Sequence, residues 1–408
     1  MRKSSAGRLL RKRESSRQAS SLELFFDLTF IFALMRLSSR LVSDPSWLTV
    51  AQTLVLLGGI WWIWIATAWS TDWFDPNESL IQRLVVAVMF VGLLMSAAVT
   101  QAFGAHGIYF AGGYVLIHLG RAAVLLPALR GHRLQRRTLL VAVWFAVSAV
   151  PWLVGAFLPA GPRLVAWIVA LSIDFTAAYL GWPVPTLGRV AYEQLRVVGD
   201  HLSERYGQIS LVSLGELILA TGAAYVSGPF DVPRTGLVAV AFVNAVVLWR
   251  IYFLPEKQNF GRAIDSRGPR LAVFAAYTQL LFIAGVVCIA VGDEISIGRT
   301  AEQEGHGWGA GFFIAGATLV LAGRVAFETA NGARPWGTLL AIIVILALTP
   351  ALLRLPPVVA LAATTLVLAV IAFTSPGRRQ AARQWWQEKT QKLRGRTSSG
   401  GAPGSTTG

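Results

Sequence analysis

Apolar residues recur along the chain in runs of about the same length, separated by short polar breaks. A helix crossing the hydrocarbon core of a bilayer needs about 20 such residues. Runs near that length lie at 22–42, 47–69, 82–103, 109–129, 138–158, 163–182, 207–227, 235–254, 271–292, 308–328, 337–354 and 357–374. Uninterrupted runs predict helices, because hydrocarbon leaves open backbone groups unsatisfied and barrel strands would alternate over about ten residues. The expected fold class is all-α: a polytopic transmembrane helical bundle of ten to twelve spans. The last two runs are divided only by Arg354 and the pair Pro356-Pro357, so a hairpin or a re-entrant pair is an alternative there.

The runs suggest five segments: a basic N-terminal tail (1–21), a first transmembrane half (22–182), a connector (183–206), a second transmembrane half (207–374) and a tail (375–408) that is basic and then disordered. Twelve spans also invite a division into two parallel six-helix repeats. Span one opens ELFFDLTFI and span seven ERYGQISLV; span four carries HLGRAAVLLPA and span ten LAGRVAFETAN. The matches are short, and chance similarity is the alternative.

Composition agrees with the pattern. Hydrophobic residues make up 54%, charged residues only 14%, and the net charge is +15; mean hydropathy is +0.56. These values exclude a soluble globular enzyme, a disordered chain and a nucleic-acid-binding domain. The basic excess reads as topology, since Lys and Arg collect in cytoplasmic loops. With the N-terminus inside, 27 of the 36 basic residues fall in cytoplasmic segments and 5 in outer loops. This places both termini in the cytoplasm of a multi-pass cell-membrane protein. The basic tails would meet anionic lipid, with SPGRRQAARQWWQEKTQKLRGR a candidate surface helix anchored by Trp385 and Trp386. Cys288 is the single cysteine, and the five histidines show no metal-ligand spacing, so no metal or other cofactor is expected.

Ionisable residues inside spans oppose insertion by about 2.5–3.5 kcal/mol each and are rarely idle. Glu23 and Asp27 lie four apart, on one face of span one. They read either as an N-terminal cap with arginine partners or as a cation or proton site. Asp174 and Glu216 lie near the middles of spans six and seven. His118 and Arg121 share a face of span four, and Arg121 is expected to pair with Asp174, Glu216 or Asp27. Asp72, Asp75 and Glu78 form an acidic knot after span two, and Glu204 and Arg205 sit at the edge of span seven, where Asp200 or Ser203 is the expected cap. Coupling of ions or protons would fall to Glu23, Asp27, Asp174 and Glu216, with Arg121, Arg205 and His118 as counter-charges. WWIWIATAW concentrates tryptophans that either pack or line a groove. No phosphate-binding loop, zinc-protease or serine-hydrolase pattern is present, and the chain is not read as an enzyme.

SLELFFDLTFIFAL, WSTDWFD and HLSERYGQISLVSLGELILA, in this order, resemble the bacterial low temperature requirement A family from about residue 20 to 374. The resemblance implies a multi-span bacterial membrane protein and carries over Glu23, Phe26, Asp27, Asp72, Phe74, Asp75, Glu204, Arg205, Gly207, Gly215 and Glu216. Two positions depart from the family's pattern: Leu217 stands where a serine is usual, and Gln279 where a histidine is common. Three readings follow. The first is a secondary transporter or ion-coupled permease for a small solute or ion. The second is a non-transporting scaffold or cold-growth factor whose buried charges are structural. The third is a lipid-modifying membrane enzyme.

Overall fold

The structure is a computed structural model that describes residues 5–11, 19–190, 197–253, 257–298 and 307–374. Among the described residues there are fourteen α-helices and no strand beyond two isolated β-bridges. In order they are α1 Ser5–Leu9, α2 Ser21–Ser43, α3 Trp47–Trp73, α4 Ser79–Ala97, α5 Gly107–Ala128, α6 Arg133–Ala156, α7 Ala160–Leu180, α8 Gly199–Val226, α9 Val232–Phe253, α10 Lys257–Arg267, α11 Pro269–Gly298, α12 Trp308–Ala330, α13 Trp336–Leu352 and α14 Pro357–Thr374. Each of the twelve expected runs coincides with a helix. Ten of these helices are long and apolar enough to cross a membrane. The other two are α2, whose four charged residues set it apart, and α13, which has 17 residues. The molecule is a polytopic helical membrane protein. Its outer face is the apolar one: Phe90, Leu94, Phe242, Leu340, Ile343 and Leu366 are exposed, as a lipid-facing surface requires.

The two sets of six spans repeat one pattern of neighbours. In the first set the packed pairs are α2–α3, α2–α4, α3–α7, α4–α5, α5–α6 and α6–α7. In the second they are α8–α9, α8–α11, α9–α14, α11–α12, α12–α13 and α13–α14, the same pairs by position; the sets differ in that α12 also packs on α14, and α3 on α5. The sets meet where α8 and α11 pack on α2. Side chains join α2 to α8 at Glu23–His201, Asp27–Arg205 and Ser38–Glu216, each separated by 178 positions. A constant offset means that the two helices run parallel, as the first helices of two parallel repeats would.

Backbone contact joins α11 to α12. A Cβ on Gly285 would lie 2.6 Å from the carbonyl oxygen of Gly316, one on Gly292 3.2 Å from that of Gly309, and one on Gly323 2.7 Å from that of Thr278. The three contacts are spaced by seven residues on both helices, in antiparallel register. A heptad of small residues lets two backbones meet along a straight seam.

At the ends of α3, α5, α7, α9 and α11 that look toward α1, the expected tail and loops are partly built structure. Leu10 bridges to Phe74, and the amides of Arg11 and Asp75 bond to Trp73 and Leu9 carbonyls. The stretch after α9 carries α10, which packs on the first turn of α8 through Gly199 and Gly261. At the opposite end, arginines close helix termini. Arg163 donates to the carbonyls of Ala102, Gly104, Gly155, Ala156 and Leu158. Arg234 donates to those of Ala224, Pro229 and Ile297. Unpaired carbonyls at helix C-termini need such donors. These residues were expected simply as outer-loop charges; Arg40, another, donates to Thr100 and Gln52. The expected surface helix with Trp385 and Trp386, and the loop residue Arg299, lie outside the described residues.

Candidate functional site

Helix α8 begins at Gly199, eight residues before the expected boundary, and carries no side-chain cap. Neither Asp200 nor Ser203 takes the cap position, because the backbone turns into the helix at Val198, whose amide bonds to Asp72 at 3.1 Å. The longer helix brings His201 into the bundle. His201 Nδ1 lies 3.0 Å from Asp72 Oδ1, and its Nε2 lies 3.1 Å from Glu23 Oε1 and 2.8 Å from Arg11 Nη1. Nε2 therefore faces both an acceptor and a donor. With its proton it donates to Glu23; without it, it accepts from Arg11.

Glu23 has a second task. Ser20 and Glu23 form a reciprocal capping box at the start of α2, with the Glu23 carboxylate 2.8 Å from the Ser20 amide. The cap and the basic partners expected together on one reading of this residue are both present, the partners being His201 and Arg11. One turn further in, Arg205 grips Asp27 with two parallel hydrogen bonds of 2.8 and 2.9 Å and also donates to Gln208. Trp64 Nε1 donates to the same carboxylate at 2.8 Å. Arg205 and Asp27 are both almost fully buried, and their paired bonds offset the cost of burying the two charges; Arg205 Nε has no partner among the described residues. Phe26 packs edge-on against Phe30 beside it, and the Arg205 guanidinium lies over the Phe26 and Trp64 rings.

Three carboxylates lie deeper. Glu216 is 0% exposed and accepts from Ser38 at 2.6 Å, while its Oε2 has no hydrogen-bond partner among the described residues. Asp293, also 0% exposed, accepts from Thr221 at 2.8 Å. Asp174 accepts from Tyr114 at 2.6 Å. Each is held by a hydroxyl rather than by a cation. Between the upper pairs and Glu216, Gln279 donates to Ser210 at 2.7 Å. A cleft enclosing about 520 Å³, lined by Ser203, Tyr252, Thr278, Gln279 and Arg324, runs beside this point.

Several expected pairings do not form. Arg121 reaches none of Asp174, Glu216 or Asp27; it donates to Thr67 on α3 at 2.6 Å. Tyr114, two turns earlier on α5, occupies Asp174, and Arg205 occupies Asp27. His118 is no counter-charge either: its ring stacks on Phe145 with centroids 3.8 Å apart, and neither nitrogen has a partner among the described residues. The acidic knot is divided. Asp72 turns inward to His201, Asp75 holds a turn through Asn77, and Glu78 starts α4 without a side-chain bond. Phe74 is buried under Leu10, whereas Glu204 is half-buried outside the cluster. Gly207 is buried; a Cβ on Gly215 would meet nothing within 4 Å, so packing gives no reason for that glycine.

His201, Arg11, Trp64 and Asp293 were not singled out from the sequence. One signal was available: His201 and Arg205 are four apart, matching the spacing of Glu23 and Asp27. Two bases and two acids at equal spacing fit two parallel helices. Asp293 lies one residue past the apolar run at 271–292, yet α11 continues to Gly298.

A multi-pass membrane protein with buried acid–base pairs between its first and seventh spans is thus defined. The chain belongs to the bacterial low temperature requirement A protein (LtrA) family, whose profile matches residues 18–373. It is also 32% identical over 294 residues to an uncharacterized protein of Rhizobium meliloti (strain 1021), a match covering 71% of this chain and 72% of the relative. No solved structure matches it.

Proposed function

We propose that the protein is an ion-coupled carrier in the cell membrane, non-enzymatic, with α8 as its coupling helix. One observation carries the reading. From His201 to Thr221, α8 presents partnered polar groups at intervals along its length: His201, Arg205, Ser210, Glu216 and Thr221. Twenty residues of helix rise about 30 Å, which is about the thickness of the hydrocarbon core. His201, Arg205 and Glu216 meet α2, while Ser210 and Thr221 meet α11. A structural anchor needs one such pair; a line from one side of the membrane to the other suits the passage of a proton or cation.

The roles follow from the bonds. His201, satisfied in two protonation states, suits the entrance. Glu216 and Asp293, held by hydroxyls, suit binding and release of a cation or proton. The bidentate Asp27–Arg205 pair suits a fixed orienting point. A solute would enter through the cleft beside Ser203 and Gln279. Both termini are assigned to the cytoplasm, where basic tails meet anionic lipid.

Purified wild type and Glu216→Gln, reconstituted with an internal pH dye under an imposed potential and a panel of solutes, test the reading. Proton flux in wild type that falls at least tenfold in a correctly folded Glu216→Gln protein is the expected result. Flux that Glu216→Gln leaves unchanged would remove Glu216 from the path, and absence of flux across the panel would favour a scaffold whose charges are structural.

A further inference from the structure

A separate cavity lies between α3, α5 and α6, on the far side of α3 from α8. It encloses about 660 Å³, part of it open to the surroundings. Its wall has a distinct chemistry. Arg121, Arg137 and His118 line it together with Trp62, Trp69 and Trp182, and no carboxylate is among its lining residues.

The three basic groups lack anionic partners. Neither Arg121 nor Arg137 makes an ion pair within 4 Å among the described residues. Arg121 has the Thr67 hydroxyl, and the Arg137 guanidinium lies over the Trp73 ring, its Nε without a partner among the described residues. Asp72 is the carboxylate whose charge acts on Arg137, and its oxygens are already engaged by His201 and the Val198 amide. His118 is 3% exposed, with both nitrogens unpartnered. Arg137 is buried and Arg121 half-buried; holding guanidinium groups there without a paired carboxylate is costly, and an anion in the cavity lowers that cost.

The backbone points to the same place. Trp182 has a φ of 51°, a left-handed conformation that a bulky residue rarely adopts. It follows Gly181 at a φ of 76°, and the double turn ends α7 so as to seat the indole against Trp69, 6.5 Å between centroids. Such strain tends to gather at ligand sites. Depth fits as well: Arg121 lies seven residues from the end of α5, about 10 Å, and Arg137 is in the second turn of α6. Both therefore lie in the half of the bundle nearer the end where α2 begins.

We propose that this cavity binds a phosphate-bearing organic anion, with Arg121, Arg137 and His118 holding the phosphate and the tryptophan wall holding an apolar portion. Guanidinium groups suit phosphate because they present several donors to several oxygens. The ligand comes either from the bilayer, as a phospholipid headgroup, or from solution.

Equilibrium binding to the purified full-length protein in neutral detergent separates these sources. The probes are dihexanoyl phosphatidic acid, inorganic phosphate and, as control, dihexanoyl phosphatidylcholine. Saturable binding of phosphatidic acid, weakened at least tenfold by Arg121→Gln and by Arg137→Gln, supports a lipid ligand; equal binding of inorganic phosphate supports a soluble one. Should either glutamine variant misfold, Ala142→Phe fills the cavity without altering charge and is expected to abolish binding. Phosphatidic acid binding no better than phosphatidylcholine, or binding unchanged by Arg121→Gln and Ala142→Phe in folded protein, overturns the proposal.

Discussion

At the scale of single residues, the bundle's charges differ in what their removal does. Asp27 holds a buried arginine by two bonds and also accepts from Trp64. Asp27→Asn leaves Arg205 buried without its carboxylate, a change of about 3–5 kcal/mol. Its thermal unfolding midpoint should fall sharply. The double variant Asp27→Asn, Arg205→Gln should be more stable than Asp27→Asn alone, because it removes the stranded cation; a double-mutant cycle on unfolding midpoints reads this, and strictly additive effects would refute the pairing. The residue types at this site were visible in the sequence: Glu23, Asp27, Arg205 and Glu216 stood out as charges in apolar surroundings. Their partners were not. Arg121 looked like the natural match for Asp174 because both lie mid-span, but depth in the membrane does not say which helices are neighbours. His201 was passed over because DHLSERYGQ reads as a polar boundary, whereas its polar residues turn into the protein.

At the scale of elements, apolar run length located twelve helices, ten of them long and apolar enough to cross a membrane, since run length follows directly from bilayer thickness. Ends were less legible. The first turns of α8 and the last of α11 are polar because they are buried against other polar groups, not because they leave the bundle. The α11–α12 seam was latent in the sequence as Gly309, Gly316 and Gly323, but a glycine heptad gains meaning only beside Gly285 and Gly292 of the partner. A side chain at Gly316 would overlap the Gly285 carbonyl and the Ile289 side chain. Gly316→Leu is expected to destabilise the protein by about 3 kcal/mol or to prevent its folding. Gly311→Ala, on the same helix with nothing within 4 Å, should be neutral. Equal expression and unfolding midpoints for the two would contradict the seam.

At the scale of the whole molecule, two six-helix sets with matching neighbours join through α2, α8 and α11. The short sequence matches between the halves are a faint trace of a packing pattern that the two sets share in six pairs of neighbours and depart from where α12 meets α14. Charge sets the expected orientation: basic segments lie at the end where α2 begins, and the arginines at the far end are tied to carbonyls. With Cys288 replaced by alanine, a single cysteine at Ser399 should react with a membrane-impermeant maleimide only after cells are opened, and one at Thr300 should react in intact cells. The reverse pattern would invert the expected topology.

The glycine seam has a mechanical consequence. Packed helices slide past one another when interdigitated side chains change rotamer, a few tenths of an ångström at a time. Between Gly285 and Gly316, and at the heptad steps on either side, a backbone carbonyl of one helix sits against a glycine or carbonyl of the other, with the Val320, Phe313 and Ile289 side chains wedged beside the glycines, so little room is left for rotamer change. The contact runs over fourteen residues, about 21 Å of helix. The hairpin of α11 and α12 is therefore a stiff beam. Any rearrangement that opens the bundle to one side carries that beam as a single body and is absorbed at the side-chain-filled seams, α2 against α4 and α8 against α9.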